Sequence, residues 1–285
     1  MIAGVLIGVL GVVLILAIGG VVMARPGLLP APGAWVSSRR WLGVDRLRLA
    51  RTQLVGSIGP LGAFVMLLGG GVLVVTCIGV AFGFGVATLE HPVDWWAFHL
   101  SDRLRGHGWA RLMSVVTQMG DLSETRIAGV VFAVLLAFAA RPRWWAPASL
   151  ILGVIVVEKY QQSMLATIVS RGHPPTTLGT YPSGGCARLI SVYGVILFLV
   201  LELTRAGRRT RAVAWALLWA AAFAEGYSRW YLNKHWLTDV LGGWFYGGLL
   251  LAVAVFAGRA LISRDDGAAP AFETRSEPVG SISRN

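Results

Sequence analysis

Ser228-Arg229, His235 and Asp239 stand close together in this 285-residue chain. His235 and Asp239 are four residues apart, a spacing that puts two side chains on one face of a helix. A carboxylate beside an imidazole fixes the ring tautomer and stabilises its charged form. The other ring nitrogen is then free to attack. Arg229 adds a permanent cation whose planar fork matches phosphate oxygens. These residue types suggest nucleophilic attack on phosphorus, although an interfacial charge cluster anchoring two helices would use the same ones. A second segment, Tyr181-Pro182-Ser183-Gly184-Gly185, reads as a turn that enters a helix. Helix starts leave N–H groups unpaired and outward-pointing, so a phosphate can be cradled there with the Ser183 hydroxyl as a further donor. An ordinary loop cap would look the same. A third segment, Ser170-Arg171-Gly172-His173-Pro174-Pro175, offers one more cation.

The elements that must position these groups are apolar. The chain is 55% hydrophobic and 14% charged, with a mean hydropathy of +0.66. A soluble domain carries more charge, so the bilayer is the better solvent. A span needs about 20 apolar residues. Seven stretches read as spans, two of them short of that length: Ile2–Met23, Leu61–Ala87, Ile127–Ala140 (short, with a start up to a turn earlier), Ala146–Val169, Cys186–Leu203, Ala212–Gly226 and Trp236–Ala257. Ile2–Met23 has no basic region before it and no obvious cleavage site after it, so it reads as a retained span. In the Thr88–Thr125 loop, Trp109, Leu112, Val116 and Met119 recur at helical spacing. That pattern fits an amphipathic helix in the membrane interface or a helix packed over the bundle end. Gly242, Gly243, Gly247 and Gly248 are expected to allow close helix packing. Glu158, Lys159 and Glu225 fall within spans, where charges are paired or functional. A salt bridge of Glu225 with Lys159 or Arg188 is expected. The tail from Ser263 to Asn285 is polar and expected to be disordered.

The net charge of +11 does not indicate nucleic acid, because the arginines sit in short clusters between apolar stretches. With seven spans, sixteen basic residues fall in one set of loops and seven in the other. The positive-inside rule then puts the tail in the cytoplasm and the three polar segments on the outer side.

Pro182-Ser183-Gly184, followed by Ser228-Arg229, five residues, His235, three residues and Asp239, resembles the second and third motifs of the type 2 phosphatidic acid phosphatases. The third motif is matched in full. The resemblance covers about Leu61 to Ala257. It implies an all-α polytopic membrane bundle of about seven transmembrane helices with a six-helix phosphatase-like core. The chain then divides into an extra amino-terminal span with a basic cytoplasmic loop (1–60), the core (61–258) and a cytoplasmic tail (259–285). The resemblance further implies His235 as the nucleophile that forms a phosphohistidine, with Asp239 orienting it. Arg171, Ser183, Gly184, Gly185 and Arg229 would hold the phosphate. It implies no metal and no other cofactor.

Two departures from the family pattern stand out. The family's second motif ends in a histidine that protonates the leaving group, and Gly185 occupies that place. The first motif pairs a lysine with an arginine; Arg171 or His173 could take the arginine's place, with Arg171 preferred, and the lysine position then falls near Ala166. Arg188, three residues after Gly185 on the same helix face, could supply the missing cation. His173 could act as the acid.

The implied activity is hydrolysis of a lipid-linked phosphate or diphosphate on the extracytoplasmic face of the plasma membrane, with membrane lipids as the other partner. An isoprenoid carrier of envelope synthesis is the preferred substrate, since a diphosphate expels a weaker base than an alkoxide; phosphatidic acid and related glycerolipid phosphates remain open. A non-catalytic lipid-phosphate binding or flipping protein on the same fold is one alternative. Transfer of the phosphoryl group to an acceptor other than water is another.

Overall fold

The structure, a computed structural model, describes residues 42–140, 143–177 and 179–262. The expected Ile2–Met23 span, the basic stretch through Arg40 and the tail from Ser263 lie outside these residues. Among the described residues there are eight helices and no strands. They are α1 (Leu42–Ala87), α2 (Trp95–Leu104), α3 (His107–Val116), α4 (Leu122–Ala139), α5 (Trp145–Val169), α6 (Gly184–Leu203), α7 (Arg208–Tyr231) and α8 (Leu237–Ile262). The fold is all-α, as expected.

α1, α4, α6 and α8 are long and apolar enough to cross a membrane. α5 and α7 have 25 and 24 residues, or roughly 36 Å at 1.5 Å per residue. Both pack within the same bundle. Their apolarity is interrupted by Glu158 and Glu225, each fully buried. α6 is the central helix: 67% of its most apolar window is buried, against 28% for α1 and 22% for α4. The outer helices therefore turn apolar side chains such as Leu73, Ile127 and Phe138 to the surface, where lipid is the solvent.

α1 is broken where a span was expected to begin. Gly59 has φ 76° and ψ 169°, and Pro60 follows. A proline inside a helix removes a hydrogen bond and its ring clashes with the preceding turn. Glycine tolerates the positive φ that results. The apolar part of α1 thus starts at Leu61.

α4 starts at Leu122, a turn before the apolar run. α7 extends past the expected end at Gly226 to Tyr231, which carries Ser228 and Arg229 onto the helix. The 88–121 segment forms α2 and α3, both packed against α7. α3 buries Met113 and packs Trp109, Ala110 and Val116 on Tyr227, Trp230 and Tyr231. Leu112 and Val115 stay exposed. The buried stripe is therefore rotated from the one read in the sequence, and α3 covers the bundle end.

α8 meets α6 through a glycine face. A Cβ at Gly243 would stand 2.5 Å from the Ser183 carbonyl oxygen, and one at Gly247 would stand 2.8 Å from that of Ala187. A Cβ at Gly242 would meet the Tyr181 ring at 2.4 Å, whereas Gly248 has nothing within 4 Å. Three of the four glycines are thus at close contacts. Gly247→Ala should cost about 1–3 kcal/mol, the usual penalty of overpacking. Gly248→Ala should leave stability unchanged or slightly raised. Thermal unfolding of the two variants in detergent checks the contrast.

Candidate active site

His235 lies in the turn between α7 and α8, not on a helix face with Asp239 as the four-residue spacing suggested. α8 begins at Leu237. Asp239, in its first turn, accepts a 3.3 Å hydrogen bond from the Trp236 N–H and lies 3.8 Å from His235 Nδ1. The pair meets through helix capping: a carboxylate in the first turn satisfies a free N–H and suits the positive helix end.

The 170–183 segment straps this turn in place. Thr176 Oγ1 donates to the Asn233 carbonyl at 2.7 Å, and Thr177 Oγ1 to that of Lys234 at 2.7 Å. Gly179 lies flat on the histidine ring, where a Cβ would stand 2.9 Å from Nδ1. Burial pushes the His235 pKa below its ordinary value. Asp239 opposes that shift, while Arg229 and Arg188 reinforce it. The ring is therefore held in its neutral form at neutral pH. Asp239 on the Nδ1 side favours the tautomer that leaves Nε2 unprotonated.

The two arginines named by that electrostatic effect converge on the start of α6. Ser183, at the helix cap, has its Oγ buried without a hydrogen-bond partner among the described residues. Arg229 Nε donates to Glu225 Oε1 at 2.6 Å, and its Nη2 to Asp121 Oδ1 at 2.7 Å and the Thr117 carbonyl at 3.1 Å. Its guanidinium lies against Gly185: a Cβ there would be 2.2 Å from Cζ. Arg188 Nε donates to the Gly120 carbonyl at 3.0 Å, and Nη1 lies 3.5 Å from Glu158 Oε1. A Cβ at Gly184 would stand 2.8 Å from Arg188 Nη1.

The expected salt bridge of Glu225 with Lys159 or Arg188 is thus replaced by two others, Glu225 with Arg229 and Glu158 with Arg188. Glu225 and Arg229 are four residues apart on the extended α7 and share a face, while Lys159 is partly exposed beside the buried Glu158.

Buried polar atoms are nearly always hydrogen-bonded. Among the described residues, Ser183 Oγ, His235 Nδ1 and Glu225 Oε2 are buried without a hydrogen bond, while Asp239 Oδ1 and Glu158 Oε1 have only their ion pairs with Arg171 and Arg188. Ser183 at the start of α6 and Asp239 at the start of α8 are joined by the Ser183 N–H donating to the Asp239 carbonyl at 3.0 Å, so unpartnered polar atoms from both helix starts lie together there.

Arg171 is buried among acids. Nη2 pairs with Asp94 Oδ2, Nη1 donates to Thr238 Oγ1 at 2.6 Å, and Nη1 lies 3.4 Å from Asp239 Oδ1. Asp94 also accepts from the Thr238 N–H at 2.9 Å and from Thr238 Oγ1 at 2.6 Å. The resemblance implied Arg171 as a phosphate ligand. In the structure both its amino groups are engaged by Asp94, Thr238 and Asp239, the carboxylate that lies 3.8 Å from His235 Nδ1. His173 is exposed, with Nδ1 3.0 Å from the Pro174 carbonyl oxygen in its own loop.

Residues 125–261 match the PAP2 superfamily. That match overlaps the stretch over which the motifs carry the resemblance. The fold is also similar to the crystal structure of the first transmembrane PAP2-type phosphatidylglycerolphosphate phosphatase from Bacillus subtilis. The TM-score is 0.57 at 20% identity, over 64% of this chain and 93% of that one. No curated protein sequence matches the chain.

The PAP2 segment contains Arg171, Ser183, Gly184, Gly185, Arg188, Arg229, His235 and Asp239. Asp94, Thr117, Gly120 and Asp121 lie before it, in the 88–121 segment, yet they contact its arginines. Sequence reasoning missed them because no motif marks them and two contribute only a carbonyl. Arg171→Ala should cost about 3–5 kcal/mol, since it leaves Asp94 and Asp239 buried without their cation. His173→Ala should change stability by less than about 0.5 kcal/mol, as at other exposed positions. Thermal unfolding in detergent measures both.

Proposed function

We propose that this protein hydrolyses a lipid-linked phosphate or diphosphate through a phosphohistidine on His235. The observation that carries the reading is a neutral histidine, its side chain only 11% exposed, with Asp239 on its Nδ1 side and the Arg229 and Arg188 guanidiniums, from α7 and α6, gathered at the start of α6. Arg229 Nη1 and Arg188 Nη2 have no hydrogen-bond partner among the described residues. They are the corners available to phosphate oxygens, with Ser183 Oγ and the first N–H groups of α6 completing the cradle. A phosphate entering there competes with Glu225 and Glu158 for the same cations.

His235 Nε2 attacks phosphorus, the P–O bond to the leaving group breaks, and its electron pair leaves with that oxygen. Asp239 stabilises the imidazolium-like phosphohistidine. Water then attacks the phosphorus, the P–N bond breaks and the pair returns to Nε2. The scheme uses guanidiniums for charge neutralisation and assigns no step to a metal. The arginine-poor loops support an extracytoplasmic site at the plasma membrane, and an isoprenoid carrier of envelope synthesis fits that side. A non-catalytic lipid-phosphate binding protein is the second reading, and it is favoured by the absence of an acid at Gly185.

Purified protein and a lipid phosphate panel separate the two. His235→Ala should lower phosphate release by about 10³-fold or more, and Asp239→Asn by about 10²–10⁴-fold. Release that survives His235→Ala, or binding without any release, would contradict the hydrolase reading.

The pH dependence follows from the lowered histidine pKa. Protonation removes the nucleophile, so kcat/KM should fall on acidification only below about pH 6.5, the ordinary histidine value. Because Asp239 raises the His235 pKa, Asp239→Asn should move that acid limb to still lower pH. An acid limb above the ordinary value would be inconsistent with the buried ring.

A further inference from the structure

We infer that Gly185 is the specificity-determining residue of this site: it seats the Arg229 guanidinium beside the leaving group, so the site expels anionic phosphate leaving groups and not alkoxides. The inference rests on the phosphohistidine reading above and narrows it to lipid diphosphates.

The seat is defined by two glycines. A Cβ at Gly185 would lie 2.2 Å from Arg229 Cζ, 2.2 Å from Nη2 and 2.3 Å from Nε. A Cβ at Gly120 would lie 2.4 Å from Glu225 Oε1 and 2.5 Å from the Gly185 carbonyl oxygen. The arginine and its counter-ion thus fill a slot that any side chain at either glycine would block. The guanidinium cannot simply step aside. Glu225, Asp121 and the Thr117 carbonyl hold Nε and Nη2, and the side chain is only 7% exposed.

The volume of a side chain at position 185 is therefore occupied by a cation. In the motif that this segment resembles, that side chain is the proton donor to the leaving oxygen. A guanidinium stays protonated in proteins and only neutralises charge. Glu225 and Glu158 are engaged as counter-ions of Arg229 and Arg188.

The bonding changes then favour one class of substrate. When His235 Nε2 attacks the terminal phosphorus of a lipid diphosphate, the N–P bond forms and the bridging P–O bond breaks. The electron pair stays on the bridging oxygen, now part of a lipid monophosphate whose added charge faces Arg229. No proton is needed. Water releases orthophosphate from the phosphohistidine in the second step, and the proton it loses goes to solvent. A lipid monophosphate would have to expel an alkoxide without a proton, forgoing the roughly 10²–10⁴-fold that a general acid contributes.

The test uses the full chain in detergent with farnesyl diphosphate and farnesyl monophosphate as probes, for wild type, His235→Ala, Gly185→Ala and Gly185→His. Wild type should favour the diphosphate by about 10²-fold or more in kcat/KM, with all release lost in His235→Ala. Gly185→His restores the residue type of the related motif. It should nevertheless lower diphosphate hydrolysis by about tenfold or more without raising monophosphate hydrolysis, since Arg229 loses its seat. Gly185→Ala should shift in the same direction.

Comparable wild-type rates on the two probes would overturn the inference and leave the His235 reading standing. So would a gain of about tenfold or more on the monophosphate in Gly185→His, on the same general-acid scale. Absence of His235-dependent release from both probes would overturn both. Should the Gly185 variants fail to fold, the wild-type ratio decides.

Discussion

Two guanidinium groups are kept charged inside an apolar helix bundle, and the rest of the structure is arranged around that constraint. An unpaired charge removed from water costs several kcal/mol even after relaxation. Arg229 is accordingly met by Glu225 and Asp121, and Arg188 by Glu158. Glu158 and Glu225 are placed, fully buried, within α5 and α7 to meet these cations. The 88–121 segment folds over the bundle end and adds carbonyl acceptors from Thr117 and Gly120. Small residues at 120, 184 and 185 leave room for the planar groups against the backbone.

A second buried network supports the histidine. Asp94, Arg171, Thr238 and Asp239 form a chain of charges and hydrogen bonds behind the His235 turn. The two networks share a joint, where the Ser183 N–H donates to the Asp239 carbonyl at 3.0 Å. The starts of α6 and α8 are fixed to each other at this point. Ser183 and the His235 turn are thereby held in one frame, the preorganisation that the proposed chemistry needs. Arg171 belongs to this frame because both its amino groups are already committed.

Much of this was legible in the sequence because it depends on local pattern. Apolar run lengths located the core helices, whereas the extension of the first one described back to Leu42, across the Gly59-Pro60 break, came from the structure. The third motif carried His235 and Asp239 by spacing alone, although they meet through a helix cap and not along a helix face. What stayed hidden depends on distant contacts. Asp94 and Asp121 reach arginines 77 and 108 residues away, and nothing in their local sequence distinguishes them from loop acids. The partners of Glu225 and Glu158 turned on how far α7 extends past its apolar stretch. Gly185 read as a missing group; only the volume around it shows that an arginine has taken the place. The α3 stripe was misread by one helical position because both of its faces are partly apolar.

The central claim is that His235 becomes phosphorylated during turnover. The most direct measurement is rapid base-quench trapping after mixing the protein with a lipid diphosphate radiolabelled on its terminal phosphate, followed by mapping of the label. The account predicts transient label on wild type that survives base, is lost in acid, maps to His235 and is absent in His235→Ala. Turnover without trapped label, or label that persists in His235→Ala, would contradict it.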